Sequence, residues 1–172
     1  MNDMQYTMAD IMADIMSEGP CEEYTIKRVE ALWSGRESLS PRQIAELDIP
    51  ILDRIWILGR LLYRLSLMRA HRITRLIALD VADLWPCPNI AWWYLVSGDE
   101  NSRAASWDAA GDAPWDASWN AARDASIFAM DAAAASENIF WYVIKAAARI
   151  AASWDAALGR YLGWLIRFGW EV

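Results

Sequence analysis

Residues 107–126 read WDAAGDAPWDASWNAARDAS, groups of four residues rich in Ala, Asp and Trp. The hexapeptide at 105–110, ASWDAA, returns at residues 152–157. Ala has the highest helix propensity, and its small side chain lets helix axes approach closely, while Trp rings fill the gaps that remain. The stretch therefore predicts closely packed helices rather than strands.

The same stretch contains signals for a helix boundary. A period of four exceeds the 3.6 residues of a helical turn, so the Ala stripe drifts by about 40° per repeat and winds round the helix. Gly111 is a stop signal, and Asp112 as an N-cap with Pro114 in the first turn would start a new helix. We expect one helix to end at Gly111 and another to begin at Asp112.

The N-terminal third also has helical patterns. The tetrapeptide Met-Ala-Asp-Ile occurs twice in residues 8–15 and predicts a short amphipathic helix that ends near Ser17. A second helix is expected from Glu22 to about Trp33, with Ile26 among its inward residues. Ser40-Pro41, an N-cap followed by Pro at the first helical position, starts a third helix.

The central segment predicts a core. Ile49-Pro50 is a boundary, and apolar residues spaced three and four apart over 51–65 predict a buried helix. A second such helix continues to Leu84 before the Pro86-Cys87-Pro88 break, and a third runs from Asn89 to Val96. Hairpin turn signals are missing between alternating runs. We expect one all-α domain of about seven to nine helices, as a bundle or a short solenoid-like stack, with parts at 1–38, 39–98 and 99–172.

Composition supports one folded domain. The chain has 172 residues, of which 56% are apolar, and it contains 12 Trp against 3 Phe. Folding at this length buries roughly 70% of the unfolded surface, so a disordered chain is not expected. Because there are 2 Cys and 1 His, a disulfide scaffold, a Cys-rich zinc site and a mechanism that needs two His are excluded.

The N-terminal sequence favours a cytoplasmic protein. Residues 1–23 contain six acidic residues and no Lys or Arg, the reverse of a secretory signal. The most apolar stretch, 139–168, is interrupted by charged residues, so no membrane span is predicted. Cys21 and Cys87 are accordingly expected to be reduced.

Charge is distributed unevenly along the chain. The net charge is −7, which disfavours nucleic acid because phosphate contacts require basic side chains. Six Arg and His71 lie between Arg54 and Arg75 without an acidic residue, whereas Asp99–Asp131 has seven acidic residues against two Arg. These segments pair with each other or face solvent, or the acidic face meets a basic partner protein.

The sequence gives little support for a catalytic or metal site. His71 lies among Arg residues that favour its neutral form, yet no nucleophile is identifiable beside it. Asp108, Asp112 and Asp116 are spaced to hold a divalent cation, but the Gly111–Pro114 break separates them, and acidic residues near helix starts stabilise the helix dipole. Since phosphate loops, His-Glu-x-x-His and nucleophile elbows are also missing, we expect no enzyme, metal or cofactor.

Residues 39–50, LSPRQIAELDIP, followed by Asp53-Arg54-Ile55-Trp56, resemble the opening of a family of bacterial immunity proteins. In that family an Ala-rich helix, a Trp-Pro break, a segment similar to Tyr94–Glu100 and runs of Ala-Ala-x-Asp-Ala-Ala-Trp follow in the same order. The resemblance covers 39–157, and the N-terminal repeat and Cys21 have no counterpart in it. It implies an all-α protein that neutralises a partner by binding it, and similar phage proteins imply inhibition of a host defence complex.

Two functional hypotheses follow. The first is a protein-binding inhibitor of a toxin or defence nuclease, with an acidic, Trp-bearing surface formed by Asp108, Asp112, Asp116, Trp115 and Trp119. The alternative is a binder of an anionic small molecule or nucleotide, in which the Arg54–Arg75 segment acts with Trp92 and Trp93, and its candidate residues are Arg64, His71, Arg72, Trp92 and Trp93. A homodimer sealed by Ala-rich faces is also possible.

Overall fold

The computed structural model describes residues 4–17, 24–114, 116, 120–131, 137–150 and 154–170. These residues form an all-α domain, as the sequence predicted. Ten α-helices are present in the described part: α1 Met8–Ser17, α2 Ile26–Trp33, α3 Pro41–Ala45, α4 Ile51–Leu65, α5 Leu67–Leu79, α6 Asn89–Ser97, α7 Glu100–Asp112, α8 Asn120–Asp131, α9 Glu137–Ile150 and α10 Trp154–Trp164. A 3₁₀ turn occupies Ala82–Leu84, and a C-terminal π-helix occupies Leu165–Trp170.

Helix α5 lies at the centre of the fold. It packs against α4, α6, α8, α9 and the C-terminal π-helix, and Ile73, Thr74, Ile77 and Ala78 on it are buried. In a solenoid each unit contacts only its neighbours. Because α5 contacts elements from the middle and the end of the chain, the helices form a bundle around it.

Buried alanines are frequent in the second half of the chain. Helices α8 and α9 pack against each other, and Ala122, Ala125 and Ala129 on α8 and Ala146, Ala147 and Ala148 on α9 are buried. Small side chains permit the two axes to approach closely. The packing role predicted for the Ala-rich stretch agrees with this interface.

Helix starts are set by the caps that the sequence contains. The Ser40 hydroxyl accepts a hydrogen bond from the Gln43 amide at 3.3 Å, and the Gln43 side chain accepts one from the Ser40 amide at 2.8 Å. This reciprocal capping box, with Pro41 at the first helical position, confirms the predicted start of α3. Ser66 caps the central helix by a single bond, its hydroxyl accepting from the Arg69 amide at 3.3 Å.

A short two-stranded pairing holds the N-terminal segment. Strands β1, Tyr6–Thr7, and β2, Ser38–Leu39, pair antiparallel, with Tyr6 opposite Leu39. The Trp170 indole N–H donates to the Tyr6 hydroxyl at 3.2 Å. The N-terminal segment is therefore tied both to the start of α3 and to the C-terminal π-helix.

Two predicted helices differ from the structure. Helix α2 begins at Ile26 because the Thr25 hydroxyl caps it, accepting from the Arg28 amide at 3.3 Å, and Ile26 is exposed rather than inward. Helix α5 ends at Leu79, and the chain tightens into the 3₁₀ turn, which leaves Leu84 exposed. The predicted Glu22 start lies outside the described residues.

Candidate protein-binding surface

Helix α6 is apolar on every side. Its sequence, NIAWWYLVS, has no charged residue, and Ala91, Tyr94 and Leu95 face the core. Its remaining large side chains point outward, with Trp92 49% and Trp93 55% exposed. A helix that is apolar all round is normally buried, so exposed aromatic rings on such a helix indicate a surface for a partner.

Helix α6 is fixed rigidly to its neighbours. Pro88 precedes it, and Gly98 ends it in the left-handed conformation with φ of 68°. The Arg75 guanidinium on α5 donates to the Tyr94 carbonyl at 3.3 Å, and burial lowers the pKa of Arg75. Arg75 therefore serves as a structural link between α5 and α6, which keeps the exposed Trp rings in place.

Helix α7 packs antiparallel against α6 through a short turn at Gly98-Asp99. The Asp99 carboxylate caps α7 by accepting from the Asn101 amide at 3.1 Å. Ser106 joins the two helices, since its hydroxyl donates to the Ile90 carbonyl at 2.9 Å. We refer to the solvent-facing side chains of these two helices as the α6–α7 surface.

The α7 part of this surface is acidic and bears a further tryptophan. Trp107 is 47% exposed, and Asp108 and Asp112 are exposed one turn apart. Glu100 forms an ion pair with Arg103, with Nε and Oε2 2.9 Å apart. The α6–α7 surface thus combines half-exposed indole rings with carboxylates.

The expected boundary at Gly111 was wrong. Helix α7 continues through Gly111 to Asp112, and Ala113 leaves the helix with φ of −59° and ψ of 144°. The residue before a proline is disfavoured in the helical conformation, so Pro114 rather than Gly111 ends the helix. Asp112 is consequently the last residue of α7 and not the N-cap of the next helix.

The first set of predicted site residues is therefore only partly brought together. Asp108 and Asp112 share α7, while Asp116 follows the helix end and is exposed. Trp115 and Trp119 lie outside the described residues. Trp107, which the sequence pattern assigned to packing, is the exposed aromatic residue that α7 provides. The sequence did not single out Trp107, because residues 104–106 and 109–111 are all small. Only the structure shows that Ser106 and Ala110 form the buried side of α7.

The residues predicted to bind an anionic ligand contact different parts of the fold. His71 lies against Tyr63, with ring centroids 6.2 Å apart, and the Arg72 guanidinium lies 5.7 Å from the Phe168 ring centroid. Arg64 is exposed in the last turn of α4, and Trp92 and Trp93 are on α6. These residues are therefore distributed over α4, α5 and α6.

Much of the Arg54–Arg75 segment interacts within the protein. Arg54 Nη1 donates to the Ala45 carbonyl at 2.9 Å, and Arg60 is buried with its guanidinium 5.2 Å from the Trp56 ring centroid. Arg54 thus links α4 to α3, and Arg60 contacts a ring of its own helix, so neither is placed for a ligand shared with α6.

Other features of the described residues concern metals, membranes and thiols. None of the helices in the described part has the length and apolarity needed to cross a membrane. The same residues hold no group of three side chains suited to a metal ion. Cys87 is a free, half-buried cysteine, and burial raises the pKa of its thiol to about 11, so the neutral form predominates at physiological pH.

Comparisons with protein-family models, with curated proteins and with solved structures find no match to this chain.

Proposed function

We propose that this protein is a non-catalytic inhibitor that binds a basic partner protein through the α6–α7 surface. The observation that carries the proposal is the half-exposure of Trp92, Trp93 and Trp107 on two packed helices. Trp is the residue most enriched at energetic hot spots of protein interfaces, because a large rigid ring buries much area at little entropic cost.

Charge supports the choice of a basic partner. The chain carries a net charge of −7, and Asp108 and Asp112 are exposed on the same helix as Trp107. Carboxylates around an interface accelerate association with a basic partner. The attraction weakens as the salt concentration rises, because salt screens the charges. A toxin or a defence nuclease with a basic substrate site fits this chemistry.

The resemblance of residues 39–157 to bacterial immunity proteins supports the same proposal. Such a protein would act in the cytoplasm by occupying its target, either as bacterial immunity or as phage defence against a host system. A ligand site that combines the Arg54–Arg75 segment with Trp92 and Trp93 is less favoured, because Arg54 and Arg60 interact within the protein and Arg72 contacts Phe168 of the C-terminal π-helix.

Affinity purification of the tagged protein from its native host, at low and moderate salt with mass spectrometry, tests the proposal. We expect one stoichiometric basic protein that dissociates as salt rises. Trp92→Ala/Trp93→Ala should weaken its binding by about 2 kcal/mol or more, and Asp108→Lys/Asp112→Lys should abolish the salt dependence.

The matched control is Tyr142→Ala, which removes a comparably exposed aromatic side chain from α9. This variant should bind the partner as the unchanged protein does. Recovery of the tagged protein alone, as a self-assembled species, would overturn the proposal. Equal binding by the double tryptophan variant and by the control would place the interface elsewhere and refute the assignment to α6–α7.

A further inference from the structure

Three arginine side chains converge on the C-terminal π-helix. The Arg72 and Arg167 guanidinium carbons lie 5.7 Å and 5.4 Å from the Phe168 ring centroid. Arg69 Nη1 donates to the Gly169 carbonyl at 3.0 Å. Because all three contact the pair Phe168–Gly169, we call them the Arg69/Arg72/Arg167 cluster.

The contacts that hold this cluster do not neutralise its charge. A backbone carbonyl and an aromatic ring carry no net charge, and among the described residues no carboxylate forms an ion pair with these guanidiniums. Glu46 lines a groove of about 450 Å³ together with Arg167, beside α3 and α10, without pairing with it. Like charges brought together repel each other, and a bound anion would relieve the repulsion.

We propose that the Arg69/Arg72/Arg167 cluster binds an oxyanion of the phosphate class that carries two or more negative charges. The planar guanidinium presents a fork of N–H donors that matches phosphate oxygens in pairs. A phosphate group supplies close to two negative charges and three acceptor oxygens, whereas a carboxylate supplies one charge. Three guanidiniums that contact one pair of adjacent residues therefore favour an anion with more than one negative charge, such as phosphate or diphosphate.

Two kinds of molecule carry such a phosphate group: an anionic lipid headgroup and a soluble phosphate compound. Met68 is 79% exposed one helical turn before Arg72, and Leu67 next to it is also exposed. Apolar side chains beside basic ones suit the headgroup region of an anionic bilayer, where the apolar groups enter the lipid. A soluble phosphate compound would need the guanidiniums alone. The inference uses residues outside α6 and α7 and is independent of the proposed inhibitor function.

Thermal unfolding with increasing inorganic pyrophosphate, at an ionic strength held constant with sodium chloride, tests the cluster. We expect a saturable rise of the melting temperature, because an anion bound by the folded state stabilises it. Arg72→Gln/Arg167→Gln should weaken pyrophosphate binding by about tenfold or more. Both side chains are exposed, so the variant is expected to fold, and far-UV circular dichroism checks this.

The matched control is Arg149→Gln, an exposed arginine on α9, which should leave pyrophosphate binding unchanged. Equal responses of the unchanged protein and the double variant, or an equal loss in the control, would overturn the proposal. The absence of a saturable response to pyrophosphate together with the absence of vesicle binding would also overturn it.

Sedimentation with phosphatidylcholine vesicles, with and without phosphatidylglycerol, separates the two sources. Sedimentation that requires phosphatidylglycerol and is lost in Arg72→Gln/Arg167→Gln and in Met68→Ser would identify a lipid headgroup as the anion. Pyrophosphate binding without sedimentation would identify a soluble phosphate compound.

Discussion

At Gly98, both the backbone conformation and the packing of a neighbouring side chain require a glycine. Its φ of 68° lies in the left-handed region that favours glycine. A Cβ at this position would clash with the guanidinium of Arg75. That guanidinium donates to the Tyr94 carbonyl, so moving it away would break its bond to α6.

We expect Gly98→Ala to lower the free energy of unfolding by about 1–3 kcal/mol, from the left-handed strain and the displaced Arg75 together. Urea denaturation followed by circular dichroism measures the change. Gly111→Ala is the matched control, since Gly111 lies within α7 and a Cβ there would meet nothing within 4 Å. The control should raise stability by about 0.5–1 kcal/mol. A Gly98→Ala protein as stable as the unchanged one would contradict the argument.

At the scale of elements, the caps decide where helices begin. The capping box at Ser40 satisfies two amide groups that α3, with its five residues, would otherwise leave to solvent. A helix this short has little propensity of its own, so its position depends on the cap and on the burial of Pro41 and Ile44.

Ser40→Ala should therefore lower the free energy of unfolding by about 1 kcal/mol. The nearby Ser38→Ala change is the control, because Ser38 makes an exposed hydrogen bond to Gln5 at 3.0 Å and should cost much less. Chemical denaturation of both variants compares them, and equal losses would show that the cap contributes no more than an exposed bond.

Local signals in the sequence were sufficient for most helix boundaries. Ser40-Pro41 predicted the start of α3 and Pro50 the start of α4, and the structure has both. The helix predicted over Asn89–Val96 is α6, which ends one residue later at Ser97. The end of α7 was misplaced because Gly in a helix costs only about 1 kcal/mol, which packing of α7 against its neighbours overcomes. Ala113, by contrast, is kept out of the helical conformation by steric contact with the Pro114 ring, and packing of α7 does not remove that contact.

The α6–α7 surface was harder to predict than the helices. The break expected at Gly111 would have separated Asp108 from Asp112, but both residues lie on α7. In α6, however, Trp92, Trp93, Tyr94 and Leu95 are consecutive apolar residues, so hydropathy does not distinguish the buried pair from the exposed pair. The neighbours α5 and α7 decide which side is covered, and that information is tertiary.

At the scale of the whole molecule, Asp80 connects the centre of the chain to α10. Its Oδ2 accepts from Arg160 Nη2 at 2.6 Å and from the Tyr161 hydroxyl at 3.1 Å. Burial, and then the charge and hydrogen bond of Asp80, raise the pKa of Tyr161. The folded protein therefore holds the Tyr161 proton more tightly than the unfolded chain does.

This difference predicts how stability varies at high pH. A raised pKa contributes stability that is fully present below the unfolded value of about 10 and is lost as the pH rises through the folded value. The free energy of unfolding should thus fall above about pH 10, and Tyr161→Phe, which has no proton to lose, should make the fall shallower.

Urea denaturation at several pH values between about 8 and 11 measures the slope. Tyr142→Phe is the control, because Tyr142 is exposed on α9 and its replacement should leave the slope as it was. A slope that is the same in the Tyr161→Phe and unchanged proteins would refute the role of Tyr161, whatever the effect of the variant on stability at neutral pH.

The bond between Trp170 and Tyr6 has a consequence for the order of folding. It joins residues 164 positions apart, whereas α6 with α7 and α8 with α9 pair along adjacent chain. Contacts between distant residues require closure of a long loop and so form slowly, while local helix pairs form early. During synthesis on the ribosome, Tyr6 emerges long before Trp170, so this bond must wait until Trp170 has emerged, whereas the pairing of Tyr6 with Leu39 can form earlier. The N-terminal strand therefore docks in two stages that are far apart in synthesis.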